Sequence, residues 1–178
     1  MNREEFAPLF KSGHEACRFA FAFSSQQYPV TVMAKLLKGS GMGSGRGLVG
    51  LDGAAIAGTV KRHIECLSAQ AQMVIGARYE INDVSARMYA FALVNSVIPA
   101  LGTGGHHRHM VRDLICRYFH IRSADGRQIQ LSALCDQYGL SADTMTRRWR
   151  SVKGCLREQE SRAQAQADDV MTNAGLVG

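Results

Sequence analysis

The stretch LSALCDQYGLSADTMTRRWRSVKGCL, residues 131 to 156, decides the reading of this chain. Leu131 and Leu134 fall on the inward side of a first short helix, with small Cys135 where two helix axes would approach closely. Gly139 stands where a tight turn needs left-handed backbone. Leu140 then plugs the corner, and Ser141 is placed to cap a second helix, with Thr144 three positions on and Asp143 in the first turn, where the helix dipole favours negative charge. Within that second helix Met145, Trp149, Val152 and Leu156 recur at spacings of 4, 3 and 4, so at 100° per residue they share a narrow arc, the expected core side. The opposite arc holds Asp143, Arg147 and Arg150, flanked by Thr144, Thr146 and Arg148, with Lys153 one turn later. This pattern predicts a helix-turn-helix. Its polar face suits the major groove of double-stranded DNA, where arginine reads guanine edges and threonine touches bases or thymine methyls. A solvated basic face would need the same arginines without the cap, turn glycine and corner leucine.

Working outward, the same side-chain chemistry recurs upstream. From His106 to Phe119, Met110, Val111, Leu114, Ile115 and Tyr118 form one stripe, with Arg108, Arg112, Asp113 and Arg117 around the rest, which predicts an amphipathic helix. Arg108 and Arg112 are expected to reach DNA phosphates and orient the reading helix. Residues 105 to 165 carry eleven basic side chains, ten of them arginines, against six acidic ones. The whole chain of 178 residues has a formal charge of +6 and a pI near 9.3, a balance that favours a polyanionic partner.

The first 104 residues also read as helices. Phe6, Leu9, Phe10, Ala16, Cys17, Ala20 and Phe21, within residues 3 to 23, mark one helix or two short ones; Tyr28 and Pro29 open a further one, Val30 to Lys38. Six glycines from Gly39 to Gly50 make a flexible break. Beyond it, Leu51, Ala54, Ala55, Gly58, Ile64 and Leu67 are expected to line one side of a helix ending near Glu65. Ser68 caps another, running to about Tyr79, in which Ala71, Val74, Ile75 and Arg78 repeat at helical spacing. A further helix, Asp83 to Ile98, is expected to pack through Val84, Met88, Phe91, Ala92 and Val94 before Pro99 and the glycines at 102, 104 and 105 stop it. The expected fold is an all-α helical bundle: a helical region 1–104, a DNA-binding region 105–167 and a flexible tail 168–178.

Apolar residues make up 46% and charged ones 20% of the chain, which suits a folded globular protein. No apolar run is long enough for a transmembrane helix and no secretory signal stands at the start, so no membrane partner is expected. The five scattered cysteines read as reduced thiols, placing the chain in the cytoplasm. No catalytic motif stands out, neither a Gly-x-Ser-x-Gly elbow nor a paired-carboxylate site, and the expectation is a protein that is not an enzyme. His106, His107 and His109 lack a completing Cys, Asp or Glu at a metal-ligand spacing, so neither metal nor cofactor is expected. Gly45-x-Gly47-x-x-Gly50 follows no strand, and the linker reading is preferred over a phosphate cradle.

Two blocks resemble a known family. GLSADTMTRRWRSVKGCL is similar to the DNA-reading region 4 of sigma factors and to the matching part of phage antitermination proteins. FAFSSQQYPVTVMAKLL with GRGLVGLDGAAIAGTVKRHIECLSAQAQMVIGARY resembles the N-terminal half of phage late-gene antitermination proteins of the Q type and of related prophage-encoded DNA-binding proteins. The resemblance implies a protein that binds near a late promoter, contacts RNA polymerase and lets it read through terminators. It also implies Ser141, Thr144, Arg147, Arg148 and Arg150 as DNA-facing residues. The chain departs from that pattern in residues 80 to 128, which form a long insertion, and lacks the zinc-binding cysteine cluster of one branch. Two other readings stay open: a conventional repressor or activator, dimerising through its N-terminal helices, and a protein-binding adaptor with a basic helical face.

Overall fold

A computed structural model describes residues 8–26, 51–102 and 108–178. The expected helix 30–38, the glycine-rich break 39–50, His106 and His107 lie outside the described residues. Eight α-helices account for most of the rest: α1 (Gly13–Gln26), α2 (Leu51–Glu65), α3 (Ala69–Tyr79), α4 (Asp83–Ala92), α5 (Val94–Val97), α6 (Arg108–Tyr118), α7 (Leu131–Tyr138) and α8 (Ala142–Asn173), with a 3-10 turn Ile98–Leu101 after α5. Among the described residues there is no strand beyond one isolated bridge between Phe10 and Val177. The protein is all-α. No single described helix is long and apolar enough to cross a membrane.

The chain divides into two compact units, one of residues up to Leu67 with 166–178, the other Ser68–Ala165. This differs from a division near residue 104. In the first unit α1 packs on α2, burying Ala16, Cys17, Ala20 and Phe21 from one and Ala57, Val60 and Ile64 from the other. Lys61 lays its ammonium 5.3 Å from the Phe21 ring centre. Leu67 is also buried, whereas Ala54, Ala55 and Gly58, expected inside, face out. The inward stripe of α2 runs through Ala57, Val60 and Ile64, one step round from the expected alanines.

The chain's end closes this unit instead of fraying. The last helix runs to Asn173, well into the expected tail 168–178, because Ala163, Ala167 and Met171 continue the buried stripe of Val152 and Leu156. The Asp168 carboxylate accepts from the Gly13 N–H at 2.5 Å, so negative charge meets the N-terminus of α1. Phe10 N–H donates to the Leu176 carbonyl at 3.0 Å and Val177 is buried, so residues 168–178 are held by backbone bonds and apolar contacts.

In the second unit α3 packs on α4, and α4 and α5 pack on α6. Ser68 caps α3 by accepting from Ala71 N–H, and Asn82 caps α4 by accepting from Val84 and Ser85 N–H. The approach of α3 and α4 is close: a Cβ at Gly76 would stand 2.5 Å from Tyr89 Cγ. Helix α4 accordingly buries Ala86 and Ala90, followed by Leu93, Val94 and Val97, while Val84, Met88, Phe91 and Ala92, expected inside, are exposed. Helix α6 buries Met110, Val111, Leu114 and Ile115 as its stripe predicts, and adds Cys116.

Candidate nucleic-acid interface

Helices α7 and α8 are joined by the three residues Gly139–Ser141. Gly139 has φ +62° and the Leu140 N–H returns to the Cys135 carbonyl at 3.0 Å, closing α7 with the left-handed cap its sequence calls for. Ser141 Oγ accepts from the Thr144 N–H at 3.3 Å and donates to Thr144 Oγ1 at 2.9 Å, starting α8. Leu134 is buried; Leu131, Cys135 and Leu140 are half-buried. The pair is anchored on α6 by Tyr138, whose hydroxyl donates to Asp113 Oδ2 at 2.6 Å. Burial and that carboxylate push the Tyr138 hydroxyl's pKa up, which keeps it a donor.

Met145, Val152 and Leu156 are fully buried, fixing which side of α8 is inward. Trp149 departs from the expected core position. It is half-buried, with the Arg117 guanidinium 5.4 Å from its ring centre. The Arg147 and Arg150 guanidinium groups project from the opposite side, exposed, with no hydrogen-bonding or ionic partner among the described residues, and Asp143 is exposed beside them.

The other expected DNA contacts are placed differently. Ser141 and Thr144 are committed to the cap, and Thr146 is half-buried on the flank. Arg148 turns back to α6, its Nη1 3.3 Å from Met110 Sδ. Arg112 lies over the Phe91 ring at 4.9 Å and binds Asp113 at 3.1 Å; Arg108 donates to Asn95 Oδ1 at 2.6 Å. Lys153 faces a cavity of about 350 Å³ that also receives Trp149. Arg147 and Arg150 are thus the two exposed cations left on the outward face of the first turns of α8.

Beside Lys153 and Trp149, residues to which the sequence assigns no binding role surround that cavity. Arg78 from α3 meets Glu160 from α8 at 3.1 Å, and Tyr118 at the end of α6 donates to the same carboxylate at 2.6 Å. Burial, then Glu160, raises the Tyr118 hydroxyl's pKa to about 12. Arg117 donates through Nη1 to the Ile129 carbonyl, while its Nε is buried without a partner. These side chains come from positions far apart in the chain, and no local spacing could have announced them. Among the described residues no group of three or more His, Cys, Asp and Glu is placed to hold a metal ion, and His109 is exposed.

No family model matches this chain, and no curated protein or solved structure matches it.

Proposed function

We propose that the protein is a sequence-specific double-stranded-DNA-binding transcription regulator, acting in the cytoplasm, whose α7–turn–α8 unit works as a helix-turn-helix. The observation that carries this reading is the outward face of α8: Arg147 and Arg150 stand exposed and unpartnered just after a capped turn, opposite a fully buried Met145, Val152 and Leu156. A helix held by its apolar side and presenting free guanidinium groups within its first three turns has the form that enters a major groove. Bidentate donation to guanine O6 and N7 is the contact those two side chains are built to make. The resemblance to Q-type antitermination proteins adds RNA polymerase as the partner and read-through of terminators as the outcome.

The test is selection of fragments from a sheared host-plus-prophage genome by the purified chain at about 0.15 M salt, where nonspecific binding is weak. One asymmetric site beside a late promoter supports antitermination; a two-fold symmetric site marks a dimeric repressor or activator instead. Retention of no duplex overturns the DNA reading and leaves an adaptor that meets an acidic protein. On the selected site Arg147→Ala should cost about 1–3 kcal/mol while binding to random duplex changes little. Equal loss on both would make Arg147 a phosphate contact.

A further inference from the structure

The cavity between α3, the end of α6 with the loop after it, and the middle of α8 has an unbalanced lining. Arg78, Arg117, Lys153 and Arg157 bring four cations to about 350 Å³, against the single carboxylate of Glu160. That carboxylate is already taken by Arg78 and Tyr118. Lys153 and Arg157 have no hydrogen-bond or ionic partner among the described residues, and the buried Nε of Arg117 has none either. A second cavity of about 620 Å³ in the same unit sets four arginines, Arg87, Arg112, Arg122 and Arg127, against two carboxylates, Asp113 and Asp125. There Arg87 donates to the Arg122 carbonyl, Arg112 is paired with Asp113 and Arg127 with Asp125.

Like charges gathered in a partly enclosed space repel one another more than they would in water, so such a lining is stable in company of an anion. A carboxylate can be satisfied by one guanidinium fork; donors converging from three elements suit the several oxygens and higher charge of a phosphate. His120 supports the same conclusion from the backbone. It closes α6 with φ +59°, Ile121 N–H returning to the Cys116 carbonyl, a position where glycine carries no steric cost. Instead a histidine stands there, and it borders the cavity.

We propose that this cavity binds a small molecule carrying a phosphate monoester or pyrophosphate group. A terminal phosphate can enter a concave site as far as Arg117, whereas a phosphodiester in a duplex is followed on both sides by sugar. The volume lies within the range of small-ligand pockets, at its lower end.

Trp149 is the chain's one tryptophan and borders the cavity, so its emission reports occupancy directly. Titration of the full chain with inorganic phosphate, pyrophosphate and a nucleoside monophosphate should give a saturable change in emission that chloride at matched ionic strength does not. Arg157→Gln, an exposed side chain whose loss leaves the thermal melt unchanged, should weaken that response tenfold or more. Arg117→Met should abolish it. No saturable response in the millimolar range, a response reproduced by chloride, an undiminished response in Arg157→Gln, or a response to duplex DNA alone would each overturn the proposal. The inference stands apart from the DNA reading, because Arg147→Ala, which tests that reading, should leave the emission response intact.

Discussion

Helices α4 and α6 pack against each other in the same unit and are nearly equal in length, yet they divide their side chains in opposite ways. Helix α6 puts its large residues inside: Met110, Val111, Leu114 and Ile115 are fully buried, Arg108 and His109 are exposed, and Arg112 is half-buried. Helix α4 buries alanines and leaves Val84, Met88 and Phe91 outside, with Ile81 just before it, Val84 being 66% and Met88 69% exposed. The difference lies in what each faces. Helix α6 turns Met110, Val111, Leu114 and Ile115 inward, and these long side chains fill its inner side. Helix α4 meets α3 where Gly76 lets the Tyr89 ring rest on backbone, and at that separation only Ala86 and Ala90 fit. Burial follows the space available between two helices before it follows the hydrophobicity of one.

The largest effect expected from this contrast is a pair of truncations compared by denaturant unfolding. Leu114→Ala should cost about 2–5 kcal/mol, since it empties a fully buried site in a packed layer. Met88→Ala, the same kind of truncation on α4, should change stability by no more than about 0.5 kcal/mol. Comparable losses at both sites would mean that the outer face of α4 is covered in solution, and the contrast would fail.

That contrast also explains which parts of the molecule were legible. Helix α6 can be phased from sequence because Arg108, Arg112, Asp113 and Arg117 fence its apolar stripe; in α4 the large Val84, Met88 and Phe91 face out and in α2 the small residues at 54, 55 and 58 do, so neither size nor apolarity alone sets their phase. The turn between α7 and α8 was legible for a local reason: Gly139 and Ser141 perform their roles within four residues. Arg148 and Arg112 were counted as DNA contacts because a single helix shows which way a residue points, but not that Met110 Sδ or the Phe91 ring lies in reach. The cavity was illegible altogether, being assembled from residues 78, 117, 153 and 157.

A smaller effect sharpens the account of the α3–α4 approach. Gly76→Ala would drive its Cβ into Tyr89 Cγ and both Cδ atoms, at 2.5–2.6 Å, which are ring atoms close to the backbone and cannot swing clear as a chain end could. The expected cost is about 1–3 kcal/mol. Tyr89→Ala in the Gly76→Ala background should recover part of it, because the ring is the obstacle. If the double variant is less stable than Gly76→Ala by the full cost of Tyr89→Ala alone, the two residues are uncoupled and close approach is not what selects the alanines of α4.

The smallest effect concerns ionisation, and it separates the two helices again. Helix α6 carries Cys116, whose thiol is 3% exposed and pushed by burial, then by Asp113, from 9.0 up to about 11. The folded state therefore keeps a proton that the unfolded chain releases at lower pH. Stability from this group is full below pH 9 and is lost as pH rises through about 11, because the folded state binds more protons throughout that window. By pH 10 the loss should be about 1 kcal/mol relative to pH 8. Tyr118, at the end of the same helix and raised to about 12, adds its own loss above pH 10, and Cys17 in the other unit, raised to about 12 by burial and by Asp168, adds another from pH 9. Cys116→Ala isolates the first of these: it should remove about 1 kcal/mol of the alkaline loss between pH 8 and pH 10 and leave the remainder. An identical pH profile in wild type and Cys116→Ala would show that the thiol ionises in place, and that the layer under α6 admits a charge that its packing forbids.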